Sequence, residues 1–64
     1  MIENKLKHFR ENAGLSQVEL ARRAKIASTN LNSIENGRLL AWPKAKRKLA
    51  RALKVTEIEL FPEG

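Results

Sequence analysis

Apolar residues recur along this chain at helical spacing, and no stretch alternates with the two-residue period of a strand. Ile2, Leu6, Phe9 and Ala13 are spaced four, three and four residues apart, which places them on one face of a first helix. Gly14 follows and supplies the left-handed residue that closes it. Ser16-Gln17-Val18-Glu19 reads as a capping box, in which the hydroxyl and the carboxylate each satisfy a free backbone N–H. Leu15 before the cap and Leu20 after it form a hydrophobic staple. A second helix therefore starts at Ser16, with Val18, Leu20, Ala21 and Ala24 as its buried side. Lys25-Ile26-Ala27 predicts a turn. Leu31 and Ile34 point inward from a third helix, which Asn36-Gly37 stops.

The connection from Leu39 to Trp42 is apolar. Pro43 suits the first position of a fourth helix, where its missing N–H is not needed. Ala45, Leu49, Ala52 and Leu53 make the inner stripe. Thr56-Glu57-Ile58-Glu59 is a second capping box, stapled by Val55 and Leu60, and it opens a last short helix that Pro62 ends. The pattern predicts an all-α chain of five short helices.

Composition narrows the picture. The 64 residues make one domain, 1–64, at most. A domain this small buries only about 60% of the surface its unfolded chain exposes, so its margin of stability is thin. There is no cysteine and only one histidine, His8, so neither a disulfide nor a zinc centre is expected, and no cofactor. His8 reads as a surface residue. The opening stretch MIENKLKHFRENAG mixes charged and apolar residues and resembles neither a signal peptide nor a membrane span. The expectation is a soluble, cytoplasmic, nucleoid-associated protein without a membrane partner.

The net charge is +6, unevenly placed: all 13 lysines and arginines lie within residues 1–54, while three of the seven acids fall in residues 55–64. A basic body favours a polyanion, nucleic acid before anionic membrane. A soluble surface that is merely basic would look the same, so charge alone does not decide.

The third helix adds a sharper signal. With Leu31 and Ile34 inward, Ser28, Thr29, Asn32 and Ser33 face away. Together with Asn30, these poor helix formers cost about 2–3 kcal/mol relative to alanine by summed propensity. A merely solvated helix would be expected to carry Glu, Lys or Arg there. A major groove can use the face as it stands: Asn bonds bidentately to adenine, hydroxyls donate or accept, and a threonine methyl meets a thymine methyl. No Arg or Lys lies on this face, so the commonest guanine contact is missing.

The stretch LSQVELARRAKIASTNLNSIENGR resembles the helix-turn-helix of the phage-repressor and Cro group, the XRE family. The likeness runs through Leu15, Gln17, Leu20, Ala21, Ala24, Ile26, Leu31, Ile34, Glu35, Asn36 and Gly37. It extends back to Phe9, Arg10 and Gly14, and forward to Pro43, Leu49, Ala50, Ala52, Leu53, Val55 and Leu60. It implies a compact five-helix, lambda-repressor-like DNA-binding domain with its recognition helix around residues 28–36. Ser28, Thr29, Asn32 and Ser33 match base-reading positions. Gln17, Asn36, Arg38 and Lys44 match phosphate-contacting positions, and Gln17 sits where a helix N-terminus favours an anion. Arg10 and Glu35 match a structural ion pair tying the first helix to the third. Ala21 matches a spacer between helices.

The chain departs from the family pattern at several points. Lys25 and Lys54 stand where glycine is common at a helix end, at a cost of about 1 kcal/mol for a left-handed lysine. Ala27 replaces the usual Ser or Thr cap, moving the third helix's start towards Ser28. Lys46 stands where an apolar residue is frequent. Leu39, Leu40 and Trp42 replace a usually polar connection. Local core packing is slightly favoured for them; the alternative is a self-association patch, because related domains commonly pair near here.

Two functions remain open. The first is a sequence-specific regulator of transcription, a repressor, bound to double-stranded DNA as a homodimer on a palindromic operator. The second is an antitoxin or adaptor that uses the same fold to hold a protein partner. An enzyme is poorly supported: there is no nucleophile beside a base, no phosphate loop and too little chain for a cleft. Of the six cations crowding the fourth helix, Lys44, Lys46, Arg47, Lys48, Arg51 and Lys54, one or two near its start are expected to meet phosphate, the rest raising the local potential.

Overall fold

A computed structural model describes residues 4–62. Five helices follow in order: α1 (Leu6–Asn12), α2 (Gln17–Ala24), α3 (Ser28–Glu35), α4 (Pro43–Leu53) and α5 (Glu57–Leu60), with no strand among the described residues. Both capping boxes form. Ser16 Oγ accepts from the Glu19 N–H at 3.1 Å, and the Ser16 N–H donates to Glu19 Oε1 at 2.9 Å. Thr56 and Glu59 repeat the arrangement at 3.2 and 2.9 Å. The Ser16 N–H, then its hydroxyl, hold the Glu19 carboxyl below the usual carboxylate range. Pro43 occupies the first turn of α4, as expected.

The core is built from small and branched residues. Leu6, Leu20, Leu31, Ile34, Leu49 and Leu60 are fully buried, and Ala21, Ala24, Ala45 and Ala50 let the helices approach closely. α2 packs on both α3 and α4, and α4 packs on α5. Phe9, Leu15, Ile26, Ala52, Leu53 and Val55 close the edges as partly buried neighbours. Ala52 and Leu53 thus flank the inner stripe of α4, and Ala50 takes a central place in it.

Several expectations need correcting. Val18 is 55% exposed, because the stripe through Leu20, Ala21 and Ala24 leaves it on the far side of α2. Ala13 is also exposed, at the C-terminal cap of α1. Ile2 lies outside the described residues. Trp42 does not fill the core: Leu39, Leu40 and Trp42 are all exposed, and Ala41 is the buried residue of that connection. Phe61 is buried too, and the Lys46 ammonium stands 5.8 Å from its ring centroid. The lysine stem covers apolar surface while its charge meets the ring face, which explains a cation where an apolar residue is frequent.

Asn4, which sequence reasoning passed over, does two jobs. Its Oδ1 accepts from the Leu6 N–H at 3.0 Å, satisfying the start of α1, and its Nδ2 donates to the Ile34 carbonyl at 2.9 Å near the end of α3. The neighbouring Lys5 N–H donates to the Leu60 carbonyl at 2.9 Å, tying the same strand of backbone to α5.

Lys25 and Lys54 close α2 and α4 in the left-handed conformation, with φ of 57° and 58°, as Gly14 does after α1 with φ of 73°. A lysine there is strained by the clash of its Cβ with the following carbonyl. Lys54→Gly relieves that strain and adds chain entropy to the unfolded state. The net expectation is a gain of about 0.5–1 kcal/mol, read as a higher denaturant midpoint at unchanged slope. A lower midpoint would contradict it.

Candidate nucleic-acid interface

Two helices and a three-residue turn build the site. The Ile26 N–H donates to the Ala21 carbonyl at 3.0 Å, folding the chain sharply out of α2 and into α3. Ala27 takes the cap position with extended backbone and no side-chain bond, so α3 starts at Ser28. Ala21 and Ala24, both buried, keep α2 close to α3.

Ser28, Thr29, Asn32 and Ser33 share one open depression of about 440 Å³ with Gln17 and Val18. The four expected base readers are therefore brought together, beside the start of α2. Ser28, Thr29 and Asn32 are exposed, while Ser33 is half-buried. Val18 joins them as an apolar member that periodicity had assigned to the core. Its signal was available: it lies two residues before Leu20, well off the buried stripe.

Behind this face lies the Arg10–Glu35 pair. Arg10 Nε donates to Glu35 Oε2 at 2.7 Å, Nη2 donates to Oε1 at 3.3 Å, and Nη1 donates to the Leu15 carbonyl at 2.8 Å. The two side chains are 11% and 2% exposed. The pair ties α1, the start of α2 and the end of α3 together.

The pair continues outward through amides. Gln17 Nε2 donates to Glu35 Oε1 at 3.0 Å, Asn32 Nδ2 donates to Gln17 Oε1 at 3.1 Å, and Asn36 Nδ2 donates to Asn32 Oδ1 at 2.9 Å. Sequence reasoning placed all five residues in roles but did not see that they form one chain. Asn36 and the exposed Arg38 flank Gly37, whose φ of 75° turns the backbone after α3. The Arg38 N–H donates to the Ser33 carbonyl at 2.9 Å.

Lys44 lies elsewhere. It lines a separate groove of about 460 Å³ between the end of α2 and the outer side of α4, with Arg23, Lys25, Arg47, Lys48 and Arg51 around Ala24 and Ala52. The face formed by Ser28, Thr29, Asn32 and Ser33 carries no formal charge, and the cations line the separate groove. Away from both, His8 is exposed on α1, 3.1 Å from the Asn12 amide.

The helix-turn-helix domain family matches residues 4–60. The chain belongs to that family. This agrees with the likeness drawn from Leu15 to Arg38, and places the chain among folds of DNA-binding transcription regulators. A chain in the solved SinR protein/SinI protein complex is similar: 31% identity, TM-score 0.86, covering 98% of this chain and 62% of that one. This helix-turn-helix chain thus spans about three fifths of the length of its structural relative. No curated protein sequence matches it. Among the described residues no helix is long and apolar enough to cross a membrane, and no cluster of His, Asp or Glu could hold a metal ion.

Arg10→Met leaves the Glu35 carboxylate buried without its countercharge. Removing one partner of such a pair costs about 3–5 kcal/mol, enough to unfold a domain of marginal stability. Circular dichroism at 37 °C should show a largely unfolded chain. A melting temperature close to that of the parent would show that the pair does not hold α1 to α3.

Proposed function

We propose that this chain is a sequence-specific repressor that lays α3 in the major groove of double-stranded DNA. The observation that carries the reading is the grouping of Ser28, Thr29, Asn32 and Ser33 on one open, uncharged face next to the start of α2. Such side chains match the donor and acceptor pattern of base edges, whereas a face meant only for solvent has no use for them. Val18 adds an apolar contact suited to a thymine methyl.

Phosphates are met by different groups. Gln17 stands at the first position of α2, where the free backbone N–H groups attract an anion. Asn36 and Arg38 follow the end of α3, and Lys44 stands in the first turn of α4. The cations around Lys44 raise the potential that draws DNA in and make affinity fall steeply with salt.

A second reading concerns Leu39, Leu40 and Trp42. Their exposure in a domain with so little core supports an apolar contact with another chain. The occupant proposed is a second copy, giving a two-fold dimer on a palindromic operator. An antitoxin- or adaptor-like role, with a different protein on that patch, is the alternative. It draws support from the similarity to a chain solved as a protein–protein complex.

Duplexes enriched from a random pool test base reading directly. Asn32→Ala should cost about 1–3 kcal/mol on the enriched site and relax one base position, while Lys44→Ala should weaken all duplexes alike and flatten the salt slope by about one. Equal losses for Asn32→Ala on enriched and random DNA would end the reading.

Sedimentation of the chain alone and on an enriched palindrome tests pairing. Two copies per duplex are expected, falling to one with Leu40→Ser/Trp42→Ser. A single copy on the palindrome for the parent chain would exclude the dimer.

A further inference from the structure

We infer that Gln17 is a specificity-determining positioning residue, fixing the Asn32 amide in the one orientation that reads adenine. The inference rests on the proposal that α3 reads bases, and it names the base. The direction of the amide chain has a single electrostatic origin. Arg10 holds Glu35, whose carboxylate can only accept. Gln17 must therefore turn Nε2 towards it, which leaves Gln17 Oε1 facing Asn32. Asn32 must answer with Nδ2, which leaves its Oδ1 facing Asn36. Reversing either Gln17 or Asn32 would set two acceptors against each other. The charge pair thus dictates which end of an exposed amide is which, two hydrogen bonds away.

Counting valences identifies the ligand. Asn32 Nδ2 carries two hydrogens, and one is given to Gln17. Oδ1 has two lone pairs, and one receives the Asn36 amide. One donor and one acceptor remain on the amide of an exposed residue. Adenine offers the complement, an N7 acceptor next to an N6 donor. Guanine offers two acceptors, N7 and O6, so the remaining Asn32 oxygen would meet O6 without a hydrogen between them. An Asn32 free to rotate loses this arrangement and must be ordered when it binds.

A role for Gln17 as a phosphate grip alone makes a different forecast, because phosphate contacts carry no sequence information. The probes are the duplex enriched by the parent chain and its three variants at the base pair that Asn32→Ala relaxes. Gln17→Met keeps the length of the side chain and removes both hydrogen bonds. Expected for the parent is adenine preferred at that position, and for Gln17→Met a preference weaker by about five- to tenfold, beyond any loss common to all four duplexes. In the double variant with Asn32→Ala, Gln17→Met should change that preference no further.

A second measurement needs no DNA. Side-chain amide relaxation by NMR on the free protein should report an ordered Asn32 amide in the parent and a mobile one in Gln17→Met, with the backbone spectrum showing both folded. A uniform loss on all four duplexes, or an Asn32 amide equally mobile in both proteins, overturns the inference while leaving base reading intact. A parent that prefers guanine at that position overturns it as well. A parent that discriminates at no position removes the proposed function itself, and the inference with it.

Discussion

The ion pair between Arg10 and Glu35 is the constraint on which the rest depends. Taking both charges out of water is expensive, and their attraction returns that cost only when the remaining hydrogen-bonding capacity is used. Here it is used: Arg10 also binds the Leu15 carbonyl, and Glu35 Oε1 also receives Gln17. No buried side-chain nitrogen or oxygen among the described residues lacks a partner. The pair fixes the angle between α1 and α3 and gives the outer amides their direction. A hydrophobic pair of the same size would hold the helices together equally well, but it could not orient Gln17.

Backbone economy supports that arrangement in so small a chain. The fully buried side chains are few and aliphatic, and alanines stand where helices touch. Close approach through alanine gives van der Waals contact at no cost in side-chain entropy, but each such contact buries little area. Stability therefore leans on termini. Two capping boxes close α2 and α5, and Asn4 closes α1 while holding the Ile34 carbonyl. At α3 and α4 the cap residues, Ala27 and Trp42, make no side-chain cap bond. For α3 the cap position is held by Ala27 with extended backbone alone, and the helix begins at Ser28.

Local signals were the ones readable in the sequence. A capping box depends on residues three apart, a left-handed turn on one residue, and a helical stripe on a period, so Ser16, Thr56, Gly14 and the Leu20–Ala24 stripe stood out. The missed features are those set by contacts distant along the chain. Asn4 matters because of Ile34, thirty residues away, and Phe61 because of α4. Val18 shows that an apolar residue beside a core stripe need not belong to it. Trp42 shows that size does not fix burial: the backbone there turns Ala41 inward instead. The residues of the reading face came from the resemblance and from helical geometry. Their linkage needed coordinates, since Gln17, Asn32 and Glu35 meet only once α2 is folded across α3.

The separation of charge from the reading face has a consequence for how such a chain works. On the proposed reading, Lys44 meets phosphate, while the other cations of the α2–α4 groove act at a distance, through a potential that any duplex satisfies and salt screens over about 10 Å at 0.1 M ionic strength. Neutral amides and hydroxyls act only in contact, through hydrogen bonds that depend on which base is present. If α3 reads bases as proposed, salt tunes occupancy on all DNA together and leaves the ratio between sites to α3. Placing a lysine or arginine among Ser28, Thr29, Asn32 and Ser33 would mix the two effects, because a cation there would also bind phosphate on any sequence. In the proposed complex, a neutral face held in register by a buried ion pair would let charge orient the reading amides without itself touching a base.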